Sequence, residues 1–128
     1  MTASEAIERA DSVKPNAFTE EEKFNWLVTL DSKIAMELFL MSPQDMEQIR
    51  LKYPEDLNSE LLVNYPHDEI YPLYLMARID EMNGEYNKYA NSSAIFNDYY
   101  SQFSCWFLQA YDPVQGYVVA EPGRFGAQ

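Results

Sequence analysis

Residues 85–107 read EYNKYANSSAIFNDYYSQFSCWF, aromatic rings and side-chain amides packed into one short segment. Two readings compete: a surface that stacks nucleic-acid bases or sugars, or a helix with one apolar side. Spacing separates them. Tyr86, Tyr89, Ser93, Phe96, Tyr100, Phe103, Phe107 and Ala110 recur at alternating intervals of three and four, the seam of a helix packed lengthwise against others. Asn87, Asn91, Asn97 and Asp98 fall largely away from that seam. Platforms that stack single strands sit on sheets or in grooves edged with basic residues, whereas Lys88 is the only base here. The rings are therefore read as core, on a long C-terminal helix from Tyr86 to Ala110. Asn is a mediocre helix former, but Asn91 and Ser92 lie next to the seam, placed to hydrogen-bond a neighbouring helix or a loop end. Cys105, set among rings, reads as a small core residue rather than a nucleophile.

Upstream, the same periodicity recurs. Thr2-Ala3-Ser4-Glu5 has capping-box spacing and opens a short helix from about Ala3 to Val13, broken at Lys14-Pro15-Asn16. Thr19-Glu20-Glu21-Glu22 repeats the spacing, and three carboxylates in a first turn suit the positive end of the helix dipole better than they suit a metal. A second helix then runs from about Glu20 to Met41, with Phe24, Leu27, Leu30, Ile34, Leu38 and Met41 on one stripe. Trp26, Met36 and Phe39 lie off the stripe, so this helix is apolar on more than one side and these three are the candidates for lateral packing between copies. Ser42-Pro43 starts a short helix to about Leu51. Tyr53-Pro54-Glu55-Asp56 reads as a turn and Leu61-Leu62-Val63 as an extended segment. A third long helix spans roughly Asp68 to Met82, with Pro72 in its first turn and Leu73, Met76, Ala77 and Ile79/Asp80 facing inward. Asn83-Gly84 is its C-cap and hinge.

The expectation is an all-α protein, a bundle of about four principal helices. Residues 1–111 form a single helical domain, and 112–128 form an irregular or partner-docking tail marked by Gly116, Pro122, Gly123 and Gly126. Within that tail Tyr117, Val118, Val119 and Phe125 are more apolar than a solvated end requires, which makes them a candidate docking arm.

Composition excludes several functions. A chain of 128 residues fits one domain, and 47% hydrophobic residues are enough for a core. The longest apolar stretch, Tyr71 to Ala77, is far short of the roughly 20 residues that span a bilayer. Residues 1–20 hold Glu5, Glu8 and Asp11 and no apolar block, which argues against a secretory signal. With one cysteine there is no intramolecular disulfide, and the expectation is an intracellular, soluble protein. The net charge of −12 is spread along the chain: 13 acidic and 6 basic residues precede Tyr65, and 8 and 3 follow it. Proteins that grip nucleic acid by its phosphates need a basic patch, and the nearest approach to one is Arg50 and Lys52. Specific nucleic-acid binding is not expected.

Catalytic signatures are also missing. His67-Asp68-Glu69 resembles a fragment of a metal-hydrolase motif, but His67 is the only histidine, and such sites need further ligands. Next to Pro66 it reads as a helix-start residue. Glu-x-x-His spacing for a two-metal bundle and a Gly-rich phosphate loop are both absent from the sequence. Asp80-Glu81 and Glu85 read as a solvated helix end rather than a cation site. No enzyme activity, metal or cofactor is expected.

Several segments together resemble a family of small helical proteins encoded in the structural modules of tailed bacteriophages and prophages. These are Pro66-His67-Asp68-Glu69-Ile70-Tyr71, Ile79-Asp80, Asn83-Gly84-Glu85-Tyr86, Tyr89, Asn91-Ser92, Phe96-Asn97, Phe103 and Trp106. Trp26-Leu27, Leu30-Asp31 and Tyr53-Pro54 fit the same pattern, so the likeness covers about residues 3–110 and not the tail. His67 departs from it, since an aromatic such as tyrosine is more usual there. In size and helix order the family looks like head–tail connector (adaptor) proteins, which form rings beneath the portal of long-tailed phages. The resemblance implies a non-enzymatic virion assembly protein whose partners are copies of itself and portal or tail proteins. It implies residence in the bacterial cytoplasm during assembly and at the virion neck afterwards. Two alternatives stand beside it: a tail-assembly chaperone or head-completion factor, and an acidic regulatory binding protein that mimics DNA.

Overall fold

A computed structural model describes residues 1–112 and 117–118. Five α-helices make up most of this: α1 (Ala3–Val13), α2 (Glu20–Glu37), α3 (Pro43–Ile49), α4 (Ile70–Met82) and α5 (Tyr86–Ala110). A 3₁₀ turn, His67–Glu69, leads into α4, and two-residue strands β1 (Tyr111–Asp112) and β2 (Tyr117–Val118) pair antiparallel after α5. The protein is all-α, as the periodicity predicts.

The helix starts follow from local chemistry. The Thr2 hydroxyl accepts from the Glu5 amide at 3.1 Å while the Glu5 carboxylate accepts from the Thr2 amide at 3.0 Å, a complete capping box. At Thr19 only half of the box forms. Its hydroxyl accepts from the Glu22 amide, but the Glu22 carboxylate takes the hydroxyl proton instead of reaching the cap amide. Ser42 caps α3 with Pro43 behind it in the first turn. At the end of α4 the Gly84 amide donates to Glu81 O and the Glu85 amide to Asp80 O, the paired bonds of a Schellman motif. That closure needs a left-handed residue, and Gly84 supplies it at φ 72°.

α2 ends four residues before the periodicity predicts. From Phe39 onward the amides reach too far back, Phe39 to Ile34 O and Met41 to Ala35 O, and Leu40 sits in the left-handed region at φ 58°. The chain leaves the helix there, so Phe39 turns toward α5 instead of continuing the stripe.

α4 is the central element, packed on α5, α1 and α2. Ala3, Ala6 and Ala10 on α1 are fully buried, and their small side chains let α1 approach α4 closely. Phe24, Leu27, Leu30 and Ile34 of α2 fill the centre with Ile70, Tyr71 and Leu75 of α4. The extended segment after α3 joins them: Leu61 and Val63 are buried, and Leu61 N–H donates to Met1 O at 3.0 Å.

α5 lies on the surface of this core. Phe103 and Ala110 of its seam are buried, while Phe96, Tyr100 and Phe107 are half-buried against the core. Two expectations need correction. Tyr86 is 73% exposed because the seam begins before α5 meets α4 closely. Cys105 is exposed, not core; two residues beyond Phe103, it stands about 200° round the helix from it.

Candidate interaction surface

The most open concentration of rings lies where the end of α2, the 62–67 segment and the last turns of α5 meet. Phe39 stacks on Phe107 with ring centroids 4.9 Å apart. The His67 ring lies 4.8 Å from Trp106 and 5.6 Å from Phe103. Between these walls and residues Leu62 to Pro66 runs a groove of about 260 Å³. Its rim is apolar and open to solvent: Tyr65 is 87% exposed and Trp106 47%. Leu40, next to Phe39, is 63% exposed. Singly exposed apolar residues are ordinary, but a contiguous group of rings edged by a groove is a place for another chain.

Buried polar bonds hold this surface in shape. Asp31 on α2 accepts from the Tyr71 hydroxyl at 2.6 Å and from Leu62 N–H at 3.1 Å. The Tyr71 hydroxyl in turn accepts from Val63 N–H at 2.8 Å. Three elements are thereby tied together, with residues 62–63 pinned directly beneath the groove. Burial pushes the Asp31 carboxyl up to about 6, against the opposing pull of the Tyr71 and Leu62 bonds. The same burial, with the Asp31 charge beside it, raises the Tyr71 phenol. On the other flank of α5, Ser92 donates to Asp80 at 2.8 Å, and Lys14 pairs with the same carboxylate at 3.1 Å. The hydrogen bond expected beside the seam is thus made by Ser92, while Asn91 is exposed.

The residues singled out from the sequence divide. Phe39 forms one wall of the groove. Met36 is 41% exposed on α2. Trp26 packs internally, edge-on to Phe18 at 5.4 Å and under the Arg78 guanidinium at 5.1 Å. Tyr117 and Val118 lie in β2, paired through their backbones with Tyr111 and Asp112. Val119 and Phe125 lie outside the described residues. His67 opens the 3₁₀ turn as expected, and its ring fills an aromatic position between Phe103 and Trp106. Tyr65 and the convergence of His67 with Trp106 were not singled out as site residues. The available signal was Trp106 standing three residues beyond Phe103 on the edge of the seam.

A second, smaller cleft of about 60 Å³ separates α3 from α2, lined in part by Val28, Asp31, Ala35, Met46, Arg50 and Glu60. Its charged groups are already engaged: Asp31 as above, and Arg50 with Glu47 at 2.7 Å. Among the described residues no group of three or more His, Cys, Asp or Glu side chains is placed to hold a metal ion, and no helix is long and apolar enough to cross a membrane. Comparison with protein-family models, with curated proteins and with solved structures yields no match to this chain.

Proposed function

We propose that this protein is a non-enzymatic assembly protein that acts by protein–protein contact through the aromatic surface around Trp106, with the head–tail connector of a tailed phage as its specific role. The observation that carries the first half is the exposed Tyr65 and Trp106 over a groove walled by Phe39, His67, Phe103 and Phe107. Tyr and Trp anchors beside a pocket are where binding energy concentrates in protein interfaces. The second half is supported by the resemblance of residues 3–110 to phage structural-module proteins. It is supported too by the charge: a ring through which DNA passes must not hold it, and a chain of −12 repels phosphates. Copies of the chain and the portal or tail proteins are then the partners, and the virion neck the place. An acidic mimic of DNA fits less well, because the acidic groups concentrate at helix starts, as in Glu20, Glu21 and Glu22, instead of forming rows on one face.

Native mass measurement of the purified protein, alone and with the portal protein encoded alongside it, tests this reading. A multimeric complex with the portal is expected. Tyr65→Ala, at a side chain that contributes little to the fold, is expected to weaken that complex at least tenfold, and Trp106→Ala more. A chain that stays monomeric with its portal, or a complex indifferent to both substitutions, would refute the assignment.

A further inference from the structure

α5 carries a second stripe beside its seam. Ile95, Tyr99, Gln102 and Trp106 recur at intervals of four, three and four, which sets them within an arc of about 60° on a helix of about 3.6 residues per turn. All four are exposed: Ile95 by 42%, Tyr99 by 43% and Trp106 by 47%, with Gln102 open between them. Charge decides what can lie against this stripe. α1, α2, α3 and α4 each hold more acidic than basic residues, whereas α5 holds one of each, Lys88 and Asp98, in its 25 residues. Both are engaged locally: Lys88 pairs with Glu85 at 2.9 Å, and Asp98 accepts from the Gln102 amide at 3.1 Å. Two copies at −12 each repel one another across the acidic helices, and a basic partner is drawn to those helices rather than to α5. Among the described helices, α5 is where two copies meet with least repulsion.

Direction follows from the same residues. Run antiparallel about a two-fold axis, two stripes place Ile95 opposite Trp106 of the second copy and Tyr99 opposite its Gln102, so every member has a counterpart. A parallel pair in register sets Asp98 beside Asp98 and Lys88 beside Lys88. The antiparallel pair offsets the two Asp98 side chains by five residues, about 7.5 Å along the axis.

We propose that two copies of this chain associate through α5, antiparallel, with the stripe from Ile95 to Trp106 of one copy against that of the other. This goes beyond the reading of the groove, of which Ile95 and Tyr99 are no part. An isologous contact closes on itself, so its product is a dimer and not an open run of copies. Contact along about 17 Å of helix belongs to the small interfaces, below roughly 1,200 Å², and such a dimer dissociates on dilution. Trp106 is shared with the groove, so pairing and capture by the portal exclude one another at that ring; this consequence alone rests on the groove reading.

The test is sedimentation equilibrium of the full-length protein over a range of concentrations, without portal, joined to isotope-filtered nuclear Overhauser spectroscopy on mixed labelled and unlabelled chains. A monomer–dimer equilibrium is expected, with cross-peaks between the Ile95 methyl groups of one chain and the Trp106 indole of the other. Within one chain these groups lie about 17 Å apart along α5, too far for a cross-peak. Ile95→Lys is expected to weaken the dimer by about tenfold or more with the far-UV circular dichroism unchanged. If that variant unfolds, the cross-peaks of the unaltered protein decide. Added salt is expected to tighten the dimer, because it screens the repulsion between the acidic helices. A monomer at every concentration up to about 1 mM would overturn the proposal. So would cross-peaks that join Trp106 to Trp106 in place of Ile95, or a dimer indifferent to a folded Ile95→Lys. Because no portal is present, these results stand apart from the native-mass test: pairing can fail while the portal complex forms, and the reverse.

Discussion

Asp31 is a buried carboxylate whose two oxygens face donors from two other elements, with the Tyr71 hydroxyl as the hinge between them. Removing that hydroxyl leaves an acceptor on Asp31 and the Val63 N–H both short of a partner. Tyr71→Phe is therefore expected to destabilise the fold by about 2–3 kcal/mol, the cost of stranding buried polar groups, measured by chemical denaturation. A loss under about 0.5 kcal/mol, the least that an ordinary neutral hydrogen bond contributes, would mean the network does not bear on the fold. The carboxyl itself sets a pH dependence. Its folded pKa, about 6, lies above the ordinary 3.8 because burial penalises the charge. The folded state thus binds this proton more tightly than the unfolded state does. The penalty is present above pH 6 and is relieved as pH falls toward 4, so stability is expected to rise by about 1 kcal/mol between pH 7 and pH 5. Relief of the general acidic repulsion acts in the same direction. Asp31→Asn separates the two, since only the part of the slope that the variant loses belongs to this residue. An identical slope in the variant would contradict the assignment.

At the scale of elements, α5 joins two roles. Its inner side holds α4 through Phe103 and the half-buried rings beside it, and its edge carries Trp106 out to solvent. The seam is complete by Ala110, and α1, α2 and α5 all pack on α4. Truncation after Asp112 is accordingly expected to move the thermal midpoint by no more than about 5 °C, the shift that roughly 1 kcal/mol produces in a domain of this size. The same truncation is expected to abolish incorporation into particles, read by blotting purified virions. Global unfolding of the truncated chain would place the tail in the core, and normal incorporation would end the arm's role.

At the scale of the whole molecule the described residues form a small helical core with an acidic exterior, and most of their basic side chains are held in ion pairs such as Lys14–Asp80, Lys23–Asp11 and Arg9–Glu69. Duplex DNA offers such a surface repulsion and little else. No binding is expected at physiological salt in an electrophoretic mobility assay, and a micromolar, salt-sensitive shift would contradict both the charge argument and the connector role.

Sequence alone determined the helices, because their causes are local. The capping box at Thr2, the Schellman glycine at Gly84 and the three-and-four spacing of α5 each involve residues within a few positions of one another. It also determined that α5 would present one side inward. Where its reading slipped, the deciding contact came from far along the chain. α2 stops at Glu37 because Phe39 turns to meet Phe107, 68 residues away. Trp26 lies under Arg78 of α4, 52 positions on, a contact that no local pattern announces. The hydrogen bonds of Asp31 depend on Tyr71, 40 positions on. The candidate surface is of the same kind. Phe39, Tyr65, His67 and Trp106 share no period, and only the packing of α2, the 62–67 segment and α5 around one core puts their rings side by side. Periodicity reports which side of an element is apolar; which apolar sides meet, and which ring is left facing water, is settled by tertiary packing.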